Sequence, residues 1–511
     1  MAFEEHIKKI AEENEHALGM GGPKKLAKRK EEGNLNARER LDYFMDEGSF
    51  VELGRHARAM RPEIKHKSPA DGKISGVGSV DGRPVAIVSN DFTVVGASSS
   101  VINGKKIRHI REIADRRGLP IVFLGESTGA RMPDRMGAPG RAILGQDPLE
   151  FRRTRRTPWV SALLGSCYGS STWYSCMSDF VVMRKGATMA VASSKVTALA
   201  INQTIDPEDL GGWRLHTQTT GLVDVAVDTD EEALNVIKKF LSYLPSDSES
   251  LSLIAPVPEG SGEEAEKILE LFPESRSRTY DVKKILEVII DKDSMFELKP
   301  RFGKSIVTTL SRIGGRSVGI IASNPKNKGG AIDVDACRKA TSFMVMCDSF
   351  NIPLVFFVDQ PGFLIGIEGE RKGAPSLIMN WMNALSQVSV SKISITARKN
   401  YGQAYLNMCG GRTANVAACW PTADLGFMDP KVGVNVLFSV TEEDEPERFQ
   451  KLVEEISQDS TAWSLAALYE AHDVIDPRDT REFILNSLNA LEKTPQGTVG
   501  EHRLMNWPTS Y

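Results

Sequence analysis

The sequence has no cysteine pair spaced Cys-x-x-Cys, no run of about 18 apolar residues, and no surplus of positive charge. Its six cysteines, Cys167, Cys176, Cys337, Cys347, Cys409 and Cys419, therefore point to neither a disulfide framework nor a four-cysteine zinc ribbon and read as reduced thiols. No metal site is expected. Without a long apolar run a conventional membrane-spanning helix is excluded, and the polar start MAFEEHIKKIAEENEH is unlike a signal peptide, so a cytoplasmic chain is expected. The 63 Lys and Arg residues against 67 Asp and Glu give a net charge of −4. That balance argues against nucleic acid or an anionic membrane as the main partner and favours small substrates. Histidine is scarce, at eight residues, and His216, the one in a motif-like setting, reads as structural. What remains is an ordinary soluble composition, 41% hydrophobic and 25% charged, over 511 residues, enough for two or more domains.

The chain repeats itself. VDGRPVAIV (80–88) lies over IGGRSVGII (313–321), so that Gly82 matches Gly315 and Arg83 matches Arg316 at an offset of 233. The same offset carries Lys106 to Lys339, Asp115 to Asp348, Pro120 to Pro353, Gly129 to Gly362, and Tyr168-Gly169 to Tyr401-Gly402. The runs PIVFLGE (120–126) and PLVFFVD (353–359) are continuously apolar, as strands buried on both faces are. Strands alternating with helix-length segments place both copies in the α/β class. A Ser-, Pro-, Glu- and Gly-rich stretch between them reads as a linker. The expected organisation is a first domain over 1–245 with a charged helical arm at its start, a linker over 246–278, and a second domain over 279–511.

Each copy has two places where a buried strand stops at a tight Gly-containing bend before a helix: GESTGAR (125–131) and YGSS (168–171), then DQPGF (359–363) and YGQA (401–404). Such bends leave backbone N–H groups without intrahelical partners, and converging N–H groups can hold an oxyanion. One bend alone can be no more than a left-handed turn. Four in matching positions favour two oxyanion holes, one per copy. GESTG also fits the Gly-x-Ser-x-Gly nucleophile elbow of serine hydrolases. Against that reading, Pro133 and DRMGAPG make a poor following helix, and the second copy has no serine there. The arginines that follow, Arg131, Arg135, Arg141, Arg152, Arg153, Arg155 and Arg156, form either a solvated face or a site for the phosphates of an acyl-carrier nucleotide.

Several segments carry a family resemblance: NARERLDYFMDEGSFVELG (36–54), PEDLGGWRLHTQTTG (207–221), the long run 280–325, DVDACRKATSFMVMCDSFNIPLVFFVDQPGFL (333–364) and WPTADLGFMDP (420–430). In these the chain resembles the carboxyltransferase (β) subunits of biotin-dependent acyl-CoA carboxylases. The resemblance implies two duplicated crotonase-like ββα-superhelix domains, the first holding an acyl-CoA and the second a biotin carried on a partner protein. It also implies a hexamer, a trimer of dimers, with the active site shared between two subunits. The implied chemistry stabilises enolates of thioester and biotin without a side-chain base.

Carried over by position, the acyl-enolate hole falls on Gly169 and Ser170, and the biotin-carbonyl hole on Gln403 and Ala404. Thr128, Gly129, Ala130, Arg131, Tyr168, Trp173, Tyr405 and Leu406 are the implied substrate-binding residues, and Gly362, Phe363, Tyr401 and Gly402 the biotin-binding ones. Ser170, Gln403 and Leu406 depart from the family pattern, as do Trp173 and Tyr174, which implies an unusual acyl pocket. The chain carries neither an Ala-Met-Lys-Met biotinylation motif nor an ATP-grasp segment, so biotin carboxylase and carrier are expected on other chains. A biotin-dependent decarboxylase or transcarboxylase subunit, or a non-catalytic scaffold paralogue, are the alternative readings.

Overall fold

The computed structural model describes residues 2–143, 148–273 and 275–508. The described residues form two compact units, the first within 2–242 with 246–248 and 508, the second within 243–245 and 249–507.

The first unit is built on strands β1 (Val51–Glu52), β2 (Lys73–Val80), β3 (Arg83–Asn90), β4 (Ile121–Ser127), β5 (Trp159–Tyr168), β6 (Phe180–Arg184), β7 (Thr188–Ala190) and β8 (Val225–Val227). They make one sheet in the order β1-β2-β3-β4-β5-β6-β8, with β7 pairing β5. Only β1, β2 and β3 are joined antiparallel; from β3 onward every pairing is parallel. The second unit repeats this plan with β9 (Phe296–Leu298), β10 (Ile306–Ile313), β11 (Arg316–Ser323), β12 (Leu354–Gln360), β13 (Lys392–Tyr401), β14 (Val416–Cys419), β15 (Asp424–Gly426) and β16 (Asp473–Val474). The order β16-β14-β13-β12-β11-β10-β9, with β15 on β13, mirrors the first sheet.

Corresponding residues, 233 apart within the hairpins and the helices that follow them, do the same work. The β2–β3 hairpin turns on Asp81 and Gly82, and the β10–β11 hairpin on Gly314 and Gly315, all at positive φ as a two-residue hairpin turn requires. A carboxylate clamps each turn: Asp46 accepts the Asp81 and Gly82 N–H groups at 3.0 and 2.9 Å, and Asp291 accepts those of Gly314 and Gly315 at 3.0 and 2.7 Å. The helices Val101–Arg117 and Val334–Ser349 connect β3 to β4 and β11 to β12. Each sends a buried lysine to the carbonyl of the first residue of a strand and to other carbonyls nearby: Lys106 to Lys73, and to Gly54 and Ala70 at 3.0 and 2.9 Å, and Lys339 to Ile306 at 2.8 Å and to Phe302 at 3.2 Å. Every residue of β4 and of β12 is buried, as their continuous apolar runs require.

The helical arm of the first unit is fixed to its sheet by buried charge. Arg29 and Arg40 both reach Glu126 at the end of β4, at 2.8 and 3.0 Å, and Arg40 and Arg184 share Asp230, at 2.9 and 3.0 Å. In the second unit the core surrounds Trp420, which meets Phe272 and Phe357 edge-on and donates from Nε1 to Thr480 at 2.9 Å. Phe272 and Ile268 belong to the stretch 246–278 that reads as a linker, yet both sit in this core. The short helix Lys267–Leu271 brings them there, and residues 249–278 fall within the second unit. After β4 the chain forms two short helices, Met132–Arg135 and Gly137–Ile143, where the sequence suggests a poor helix. Pro133 falls in the first turn of the first, where its missing N–H costs nothing.

Candidate active site

In the first unit the ends of β4 and β5 approach each other. Gly129, with φ +98°, ends the β4 turn, and a side chain there would sit 3.5 Å from Cβ of Tyr168. Gly169 follows β5 with φ 63° and ψ −121°, a conformation open to glycine, and a side chain there would bring its Cβ 3.4 Å from Gly129 Cα. The helix Ser170–Cys176 starts at once, and among the described residues no backbone carbonyl takes the N–H of Ser170 or Ser171. A third strand of chain completes the corner. Ser99 donates its N–H to Gly129 at 2.8 Å, accepts from Arg131 at 2.9 Å, and touches the Ser170 hydroxyl with its own.

The second unit builds the same corner. Ile332 donates to Gly362 at 3.0 Å and accepts from Leu364 at 2.8 Å, the pattern of Ser99 shifted by 233. Gly402, with φ 62° and ψ −151°, ends β13 and precedes the helix Gln403–Asn407. Its N–H is taken by Gly426 at 3.0 Å, whereas those of Gln403 and Ala404 find no carbonyl among the described residues. Here a cleft of about 710 Å³ opens, walled by Gly402, Tyr405, Leu406, Leu425, Phe427 and Leu465. Tyr405 closes one side, accepting from the Gly411 N–H at 2.7 Å and donating to Glu470 at 3.3 Å.

The residues expected to bind substrate divide into outward and inward groups. Thr128 and Ala130 are exposed, and Trp173 (40%) and Leu406 (37%) project to the surface. Gly362 and Phe363 are half-buried at the second bend. Tyr168 and Tyr401 are buried instead, Tyr401 donating to Asp424 at 2.6 Å and accepting from Arg276. Arg131 also turns inward: its guanidinium is 3% exposed, pairs with Asp71 at 2.7 Å, and donates to Ser98 at 3.1 Å. Tyr174, one residue past Trp173, packs into the core against Phe123 and Trp159.

Of the remaining arginines, Arg153 and Arg155 both pair with Asp179, while Arg152 and Arg156 are exposed; the side chain of Arg141 lies outside the described residues. Ser127 is no exposed nucleophile. It is fully buried, donates to the Ala97 carbonyl at 3.1 Å and accepts from the Gly129 N–H at 3.1 Å. His216 bonds the Met189 carbonyl at 2.8 Å and Thr220 at 3.0 Å, and burial holds its imidazole below its ordinary value. Beneath the first bend lie two groups that no motif singles out, Asp71 and Lys73, both fully buried. Burial pushes the Lys73 amine down to about 7, against the opposing pull of Asp71. A lysine inside the otherwise apolar and small-residue strand KISGVGSV is the signal that marks it. Among the described residues no group of three or more His, Cys, Asp or Glu is placed to hold a metal ion, and no helix is long and apolar enough to cross a membrane.

Comparison with known proteins adds an independent line. The carboxyl transferase domain model matches residues 28–505. The propionyl-CoA carboxylase carboxyltransferase subunit of Haloferax mediterranei is 34% identical over 508 residues, covering 96% of this chain and 97% of that one. The methylmalonyl-CoA decarboxylase α subunit of Veillonella parvula is 31% identical, covering 96% of both. Among solved structures, the transcarboxylase 12S hexamer crystallised with methylmalonyl-coenzyme A superposes with a TM-score of 0.88 at 31% identity, covering 95% of this chain and 96% of that one. The two duplicated sheets are therefore crotonase-like α/β domains, and the chain belongs to the carboxyl transferase family.

Proposed function

We propose that the chain is the carboxyltransferase component of a biotin-dependent acyl-CoA carboxylase, moving a carboxyl group between biotin carried on a partner protein and the α-carbon of an acyl-CoA. The observation that carries this reading is the duplicated corner, in which the same two hydrogen bonds recur at Ser99 and Ile332 in a chain of this family. In the first unit the N–H groups at Gly169 and Ser170 take the thioester oxygen as it gains negative charge. In the second, those of Gln403 and Ala404 take the biotin carbonyl oxygen. Carboxybiotin supplies the carboxyl group.

Backbone donors suit this task because they are fixed before the reaction and need no reorganisation as charge develops; one such donor typically contributes about 10²–10³ in rate. The Gln403 and Ser170 side chains leave those N–H groups in place. The cleft at Gly402 is roomy enough for a ring and an acyl chain to meet, and holding the two partners close there favours their reaction. Leu406 and Phe427, 37% and 82% exposed, present apolar surface that fits an acyl group.

The two units serve one site across a subunit boundary in this reading, within a hexamer such as that of the 12S relative. Apolar helices support an assembly. Ser194–Ile201 buries none of its residues and leaves Val196, Leu199 and Ile201 at least half exposed; Pro430–Phe438 buries Pro430, Gly433 and Val434 but leaves Val432, Val436 and Leu437 more than half exposed. Running the transfer in reverse, as the names of the decarboxylase and transcarboxylase relatives describe, is the second reading, and the partner decides the direction.

The test is to purify the chain from its own cells, probe co-purifying chains with streptavidin, and screen acyl-CoAs with ATP and labelled bicarbonate. The expected result is a biotinylated companion and label fixed into one class of thioester. No biotinylated companion and no labelled product would overturn the proposal.

A further inference from the structure

The two corners share a hydrogen-bond skeleton but differ beneath it. In the first unit the segment leading to Ser99 runs through three consecutive residues at positive φ: Val95 at 50°, Gly96 at 59° and Ala97 at 47°. Two of these are not glycine, and Val95 is β-branched, a combination that L side chains resist. The second unit makes the same turn through Lys328, Gly329 and Gly330 at 53°, 63° and 86°, so the position matching Ala97 is a glycine. The position matching Lys73 also differs: it is Ile306, the first residue of β10. A lysine and an alanine in one corner thus replace an isoleucine and a glycine in the other.

The lysine touches the alanine. Lys73 Nζ donates to the Ala97 carbonyl at 2.8 Å, and no carboxylate lies within ion-pair distance of it among the described residues. The same carbonyl accepts the Ser127 hydroxyl, which in turn accepts the Gly129 N–H. Gly96 holds the other side of the bend, accepting the Thr128 N–H at 3.0 Å. Two residues beyond Ala97, Ser99 bonds Gly129 and touches Ser170. One buried ammonium therefore sits at the root of both chains that meet at the acyl-side bend.

We propose that Lys73 is a positioning residue of the acyl-side oxyanion hole, pinning the carbonyl of strained Ala97 and so fixing Gly129 beside Gly169 and Ser99 beside the Ser170 hydroxyl. The inference rests on the carboxyltransferase reading above. Charged and titratable groups face this lysine from all sides: Asp71 ahead of β2, Arg131 after β4, Cys167 on β5 and Lys106 on the Val101–Arg117 helix. Asp71 is drawn off by Arg131 and by Ser100, which leaves the Ala97 carbonyl as the acceptor at Nζ.

The experiment copies the second corner into the first. Lys73→Ile, Ala97→Gly and the double variant are compared with wild type for oligomeric state, kcat, and KM for acyl-CoA and for the carboxylated carrier. Lys73→Ile should lower kcat/KM for acyl-CoA at least 10-fold, with KM for the carrier unchanged. Ala97→Gly, which relieves the turn, should stay within about threefold of wild type, and the double variant should recover to that level. The lysine's low value adds a readout that a role in stability alone would not move: wild-type KM for acyl-CoA should rise as pH is raised through about 7, whereas in the double variant it should not. Unchanged acyl-CoA kinetics in Lys73→Ile would overturn the inference, as would a double variant that fails to fold or to recover. Wild-type protein that transfers no carboxyl group would instead overturn the functional reading, and this inference with it.

Discussion

Replacing Gly169 by aspartate separates the cost of building the acyl-side bend from its use. At φ 63° and ψ −121° any side chain is strained, while the space is ordinary: the new Cβ would lie 3.4 Å from Gly129 Cα and 3.7 Å from the Ala130 nitrogen. The folding penalty is therefore that of one unfavourable backbone conformation, about 1–3 kcal/mol, which a unit with an extensive buried core can absorb. The catalytic penalty is larger. A carboxylate placed beside the Ser170 N–H competes for the donors that the enolate oxygen requires and repels it, so turnover should fall at least about 10²-fold, the loss of one oxyanion donor. Two half-reactions, carboxyl transfer to acyl-CoA and decarboxylation of the carboxylated carrier, should be measured alongside gel filtration. Gly402→Asp is the counterpart: its Cβ would meet the Phe427 carbonyl oxygen at 3.1 Å, and it should suppress the carrier half-reaction first. A Gly169→Asp protein that keeps its assembly and wild-type turnover would refute the placement of the acyl hole.

Three further outcomes are expected. Arg40→Met strands Glu126 and Asp230 with one arginine fewer at fully buried positions and should cost about 3–5 kcal/mol in urea unfolding; an unchanged midpoint would show that the arm is not tied by charge. Phe272→Ala removes an edge contact to Trp420 at 5.0 Å and should cost about 3–5 kcal/mol, whereas a loose connector would lose nothing. His216 has its imidazole held below the ordinary value by burial, so the unfolded chain binds the extra proton first. Stability should fall as pH drops below about 6.5, the unfolded imidazole value, and His216→Gln should flatten that part of the thermal-melting profile without altering turnover.

Much of the architecture was legible because a hydrogen-bond skeleton needs particular residues at particular places. Gly82 and Gly315 are required by the hairpin turns, Lys106 and Lys339 by strand-end carbonyls, and Gly129 and Gly362 by the bends, so one offset of 233 reveals the duplication before any fold is known. Side-chain direction was not legible. Arg131 faces inward because Asp71, 60 positions earlier, waits beneath the sheet, and no local pattern records that pairing. Trp173 and Tyr174 look alike as bulky neighbours, but consecutive residues on a helix point about 100° apart, so one is exposed and the other lies in the core. The stretch 246–278 hides Ile268 and Phe272 among many polar residues, and the hydrogen bond from the Ala255 N–H to the Gly315 carbonyl at 2.9 Å also ties it to the second unit.

Helices Ser194–Ile201 and Pro430–Phe438 follow β7 and β15, the same station in each repeat. Each leaves a row of apolar side chains facing water, Val196, Leu199 and Ile201 in the first and Val432, Val436 and Leu437 in the second. A solitary copy of this protein therefore carries two greasy ridges at once, so high dilution, or synthesis that outruns mating with sister chains, should lead to precipitation before it leads to unfolding.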